Sequence, residues 1–250
     1  MLYLYDQILY IPLLNTLIFL YNTIALHDLG LAIIFLTILI RLILFPVFHK
    51  SAQHQALAQR LQPEIKRLQE LHKGDREKQT RAIMDLHKEH GTSPFSGFLL
   101  LIVQIPIMIV LFQIFKASLT PEFFDGLYSF IRRPETIETT FLGLINLKDT
   151  NILIVGLVAL AQYFQGKMSL AKQNPGQLSP AEKASRHMIF IGPAITLVVF
   201  YSLSAAVNLY FLVSSLFSLL QQAIVNKKMD HGPVRSRDRS QKPKALTPPQ

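Results

Sequence analysis

Cysteine is absent from all 250 residues, which removes disulfides, thiolate metal sites, cysteine nucleophiles and a cysteine-linked lipid anchor. Charge is scarce as well, at 16% of residues against roughly 25% in soluble domains. Basic residues do not occur before Arg41, so Met1 to Leu26 has no basic n-region and no cleaved secretory signal is expected. The apolar runs contain no Asp or Glu, which leaves no paired intramembrane carboxylates. Nor is there a phosphate-binding glycine loop, or a Ser or Thr beside an intramembrane His and Asp. No catalytic residue can be named, so the chain is expected not to be an enzyme and to need no cofactor. His87 and His90 share a helix face but read as solvated surface histidines, and no metal site is assigned.

Apolar runs are what is abundant. Half of the residues are hydrophobic, and they gather into stretches separated by polar segments, the pattern of a polytopic all-α membrane protein. Five spans are expected, at about 29–48, 98–115, 151–166, 188–203 and 206–225. The last two come from one long run, Met188 to Ile224, divided near Ser202, Ser204 and Asn208. Residues 8 to 26 carry Asn15, Thr16, Asn22 and Thr23 in a seven-residue rhythm. That places a weak polar stripe on one side of a helix and predicts an interfacial helix within an external segment 1–28, with a sixth span as the alternative.

Charge placement fixes an orientation. The stretch from Lys50 to Pro94 has nine basic residues, 165–187 has four against one acid, and the part after Val225 has seven. The 116–150 segment has four basic and five acidic residues, and nothing before Leu29 is basic. By the positive-inside rule the N-terminus lies outside, and the 51–92 segment, the 165–187 loop and the 226–250 tail lie in the cytoplasm. Within 51–92, Leu57, Leu61, Ile65, Leu68 and Leu71 form an apolar helical stripe, Pro63 is expected to kink or restart that helix, and Lys73-Gly74-Asp75 breaks it before a second helix to His90. A cytoplasmic two-helix hairpin is therefore expected between the first two spans. The tail, with Lys227, Lys228, Arg235, Arg237 and Arg239 among prolines, reads as disordered and suited to anionic lipid or to ribosomal RNA.

Arg41 lies twelve residues into the first span, where a charge costs about 2.5–3.5 kcal/mol, and has no acid in any span to pair with. It is expected to face water, lipid phosphate or a bound substrate, or else to snorkel towards Lys50. Thr37 is one turn earlier on the same face, and Gln104, Gln162, Thr196 and Asn208 lie in four other spans. Together they could outline a hydrophilic cavity; singly, each could be a helix-to-helix hydrogen bond.

Four stretches, GLAIIFLTILIRLILFPVFHKS, LQPEIKRLQELHKGD, KEHGTSPFSGFLLLIVQIPIMIVLFQIF and LVSSLFSLLQQAIV, in that order, resemble the bacterial YidC membrane protein insertase family from about Tyr10 to Asn226. The family's large external domain and lipoprotein cysteine are missing, so the likeness is to the compact core form. Gly166 and Asn208 stand where bulkier apolar residues are expected. The resemblance implies a plasma-membrane insertase whose helices enclose a positively charged groove, open to cytoplasm and lipid and sealed outside. In it Arg41 matches the groove arginine, and Thr37 and Gln162 fall at groove-lining positions. Nascent membrane proteins and the lipid bilayer are the implied partners, the Sec translocon and the ribosome remain open, and DNA is not expected. A small anion channel or transporter using Arg41 is the alternative, although no internal repeat is detectable.

Overall fold

A computed structural model describes residues 2–92, 96–117, 121–168 and 180–230. Arg235, Arg237 and Arg239 of the tail, and much of the expected 165–187 loop, lie outside the described residues. The described part is predominantly helical: α1 Leu2–Tyr5, a π-helical turn Asp6–Tyr10, α2 Ile11–Thr23, α3 Leu29–Ile43, α4 Phe45–Leu71, α5 Arg76–Glu89, α6 Ser96–Ala117, α7 Ile152–Met168, α8 Pro180–Phe200 and α9 Ala205–Asp230. A 3-10 turn at Pro121–Phe124 and a small antiparallel pair, β1 Thr140–Phe141 with β2 Ile145–Asn146, interrupt the pattern between α6 and α7. This agrees with the all-α expectation. Ala205–Met229 is long and apolar enough to cross a bilayer alone, whereas Ile102–Ala117, Ile152–Met168 and Ile189–Phe200 are shorter apolar helical stretches.

The uninterrupted span expected over 29–48 is broken. Helix α3 ends at Ile43, and α4 leaves it at 70°. Pro46 explains the break, since it has no amide to donate and its ring opposes the carbonyl four residues back, while its fixed φ suits the first turn of a new helix. Pro63, expected to kink or restart the next helix, does not restart it: the residue sits inside a continuous α4.

Helix α9 is the hub. It packs against α3, α4, α6 and α7, and α7 also packs on α8. The main apolar core joins Leu14, Leu17 and Ile18 of α2, Ala32, Ile33 and Leu36 of α3, Val110 and Ile114 of α6, and Val207 and Leu209 of α9. Small residues bring α4 close to the far end of α9, with Ala52 and Ala56 on Val225. Farther along, Leu61 and Ile65 pack on Leu86 of α5, with Leu68 and Ile83 at the edge, and α4 also touches α6. Leu57 is half-buried and Leu71 is exposed. Gly74, at φ +103°, supplies the left-handed turn between the two helices, and the Asp75 carboxylate caps α5 by accepting from Lys78 N at 3.0 Å.

His87 closes α5 through Nδ1 and the Thr92 hydroxyl, 2.7 Å apart, and His90 Nδ1 lies 3.0 Å from the Leu86 carbonyl. Burial, and then the neighbouring His90, holds the His87 imidazole below its ordinary pKa. The unfolded segment takes up this proton near pH 6.5, the folded one only at lower pH. The contribution of His87 to stability is thus complete above about pH 6.5 and is lost as pH falls through the folded value. Limited proteolysis of the 76–92 segment should therefore accelerate on acidification below about pH 6.5, and His87→Gln should flatten that dependence.

Residues 121–150 form a cap over one end of the bundle. Part of the polar stripe of α2, Asn15 and Asn22, bonds to this cap. Asn15 donates to the Gly126 carbonyl and accepts from Tyr128 N, Asn22 donates to the Arg132 carbonyl, and the Tyr21 hydroxyl accepts from Glu138 N. Thr16 and Thr23 bond back to the Pro12 and Phe19 carbonyls of their own helix. At the other side of the cap the Leu147 and Asp149 carbonyls accept from Ala206 N and Ala205 N, satisfying the first amides of α9. Thr150 Oγ1 donates to the Tyr201 and Leu203 carbonyls at the α8–α9 corner. Phe141 lies flat against Gly30 in the first turn of α3, where a Cβ would overlap its ring. Gly30→Val should lower stability by about 1–3 kcal/mol, seen as an earlier thermal transition in detergent.

Candidate functional site

Arg41 is held in the last turn of α3, one turn after Thr37. Arg41 is buried, with 6% of the residue exposed. Nε donates to the Ser214 hydroxyl oxygen of α9 at 3.0 Å, and Nη2 donates to the same atom. The ring of Phe48, just past the α3–α4 bend, lies under the guanidinium with its centroid 4.1 Å from Cζ. The bend is what makes this possible: a straight helix would carry residue 48 two turns away along the axis. Nη1 is buried and has no hydrogen-bond partner among the described residues. A cation so placed is anchored on one edge and one face, with one amino group left to donate.

Gln104 joins this site from α6. Its Nε2 donates to the Tyr210 hydroxyl at 2.5 Å, and Tyr210 is one turn before Ser214 on α9. Arg41 and Gln104 therefore converge on neighbouring positions of one helix face. Tyr210 and Ser214 were not among the residues singled out from sequence. The only signal for them is their spacing: with Ser218 and Gln221 they fall at i, i+4, i+8 and i+11, a polar stripe along an apolar helix. Ser214 and Gln221 are buried, and Gln221 Nε2 has no hydrogen-bond partner among the described residues.

The other candidates are placed differently. Thr37 is buried, and its hydroxyl donates to the Ile33 carbonyl at 2.6 Å within α3. Gln162 and Thr196 meet each other across α7 and α8, Thr196 Oγ1 donating to Gln162 Oε1. Asn208 faces the α8–α9 corner, where Nδ2 donates to the Phe200 and Leu203 carbonyls at 3.1 and 3.3 Å. Gly166 sits against Ile189, so the small residue serves α7–α8 contact. Lys227 and Lys228 occupy the last turn of α9, where cations complement the helix dipole.

If Ser214 orients Arg41, Ser214→Ala should leave Nε and Nη2 unpaired, at a cost of about 1–3 kcal/mol, and Ser214→Thr should restore most of the loss. The readout is the thermal transition of the purified protein, which should fall for the alanine variant and recover for the threonine variant.

A protein-family model described as 60Kd inner membrane protein matches residues 19–232. Membrane protein insertase YidC of Geotalea uraniireducens is 31% identical over 218 residues, covering 87% of this chain and 37% of that protein. The YidC of Magnetococcus marinus is 30% identical over 222 residues, covering 89% and 36%. That of Francisella tularensis subsp. novicida is 34% identical over 198 residues, covering 79% and 32%. The chain thus spans about a third of the length of these curated relatives. With the family model covering most of its residues, the chain belongs to the 60Kd inner membrane protein family.

Proposed function

We propose that this chain is a membrane protein insertase of the bacterial plasma membrane, taking nascent membrane proteins from the cytoplasm and releasing their spans sideways into lipid. The curated relatives named above carry that activity in their names. Five crossings, by α3 with the start of α4, α6, α7, α8 and α9, put the N-terminus and the 121–150 cap outside and the α4–α5 hairpin and basic tail inside. The charge segregation supports this orientation.

The observation that carries the mechanism is the buried Arg41 with Nη1 unpaired in a helix that has no acid. An entering chain brings carboxylates or backbone carbonyls past α3, α6 and α9. Nη1 can donate to them, while the Tyr210–Gln104 pair and the Gln162–Thr196 pair offer further polar contacts. Such contacts lower the cost of taking polar groups out of water. The apolar segment of the substrate then leaves into lipid, driven by burial at roughly 25 cal/mol per Å². Neither step makes or breaks a covalent bond, so no enzymatic chemistry and no cofactor are invoked. The cap, bonded to the first amides of α9 and to the α8–α9 corner, keeps the outer end closed. The tail is the segment suited to a ribosome or to anionic lipid, and the Sec translocon is a candidate neighbour.

Reconstitution into otherwise protein-free liposomes tests the reading. A small single-span substrate should become protease-protected without ATP. Anion flux in place of insertion would instead favour a channel that uses Arg41.

A further inference from the structure

We propose that Leu26, Leu142 and Leu144 form a foot by which the 121–150 cap stands in the outer leaflet of the bilayer. These residues are 81%, 58% and 84% exposed, Leu26 in the turn between α2 and α3 and Leu142 and Leu144 in a cap otherwise pinned down by hydrogen bonds. Two of them also sit in left-handed backbone, Leu26 at φ +52° and Leu142 at φ +49°, a region that bulky residues seldom occupy. Turn chemistry would place Asn, Asp or Gly there. Leucine at both positions is explained if the side chains have an apolar medium to enter.

Their depth is set by contacts with α3. Asp28 caps that helix by accepting from Leu31 N at 2.9 Å, and its second carboxylate oxygen accepts from Leu142 N at 2.6 Å. Phe141, the residue before Leu142, packs on Gly30 in the first turn of α3. The β1–β2 turn is thereby fastened at the level where α3 begins. Where α3 enters a bilayer, that level is the interface between headgroups and acyl chains. Leu26 and Leu142 border one shallow cleft of about 520 Å³, whose other lining residues include His27, Asp28, Glu138 and Thr140. Apolar residues beside polar ones at one depth match the character of the interface itself. The exposed apolar surface continues to Ile24 at the end of α2. No lysine or arginine lines the cleft, so the occupant is the leaflet as an apolar phase rather than a specifically bound phosphate.

This proposal rests on α3 being a membrane span, and the test separates the two. Because the chain has no cysteine, each introduced thiol is unique. Leu26→Cys, Leu144→Cys, Glu135→Cys and Leu153→Cys proteins, each carrying an environment-sensitive fluorophore, are reconstituted in phosphatidylethanolamine–phosphatidylglycerol vesicles. Quenching by interfacial nitroxide lipid is compared with quenching by aqueous iodide. Leu153, exposed in the first turn of α7, reports the spanning bundle, and Glu135 reports exposed cap surface. Labels at 26 and 144 should emit to the blue of the label at 135 and be quenched several-fold more by lipid nitroxide than by iodide. Iodide-dominated quenching at 26 and 144, with lipid quenching retained at 153, would overturn the foot alone. Iodide-dominated quenching at 153 as well would overturn both the foot and the spanning reading beneath it.

Discussion

Arg41→Ala is expected to slow insertion of substrates with acidic outward segments by roughly ten- to a hundredfold while leaving protein abundance near normal. The magnitude follows from a hydrogen bond to a charged group, worth about 1.5–3 kcal/mol, and from the tenfold change that each 1.4 kcal/mol produces. Abundance should hold because the substitution removes a buried cation together with its contacts, and the Ser214 hydroxyl can turn back to the Tyr210 carbonyl one helical turn away. Arg41→Lys should be intermediate. An ammonium keeps the charge, but it cannot present two donors to Ser214, lie flat on Phe48 and still offer a third group to a substrate. Insertion assays with a graded series of acidic and neutral outward segments check this. Equal rates for the three proteins across the series would remove Arg41 from the mechanism.

The second large effect concerns the far part of the α4–α5 pair. Replacing residues 60–86 by a short Gly-Ser linker should abolish insertion while the bundle still folds. The cut is placed by the packing: Ala52 and Ala56 rest on Val225 of α9 and must stay, whereas Leu61, Ile65 and Leu86 bury one another. Because Leu61, Ile65 and Leu86 form a cluster separate from the main core, their excision should leave that core intact, so a loss of activity with an unchanged thermal transition would assign the segment a direct role. Full activity after excision would reduce it to a connector.

The helices were legible because long apolar runs leave few alternatives to a helix, and α6 and α7 begin and end within two residues of the expected limits. Lys73-Gly74-Asp75 was legible as a break because a positive-φ glycine followed by an N-capping aspartate is a local signal. The bend at Leu44 was less so. Pro46 sits in an unbroken apolar run, and nothing local says whether a proline there kinks a helix or starts a new one. Pro63 shows the opposite outcome with the same residue type. In the site, the solitary position of Arg41 was legible from the missing acids, but its partners were not. Ser214 is 173 residues away in the chain, and only the packing of α3 against α9 decides which serine of α9 meets the guanidinium. Asn208 illustrates the converse, a polar residue in a span whose side chain serves the α8–α9 corner. The stripe of α2 likewise had the right period, yet its partner is the cap, which sequence periodicity does not reveal.

The most direct test of the proposal that a nascent span rests beside Arg41 is photocrosslinking from position 104, on the α6 side of the site, to a ribosome-stalled single-span substrate in vesicles. Position 153, exposed in the first turn of α7, serves as the comparison. Crosslinks from position 104 to the segment just ahead of the apolar span, lost on chain release and weakened by Arg41→Ala, are the expected result. Crosslinks of equal yield from positions 104 and 153, unaffected by Arg41→Ala, would contradict it.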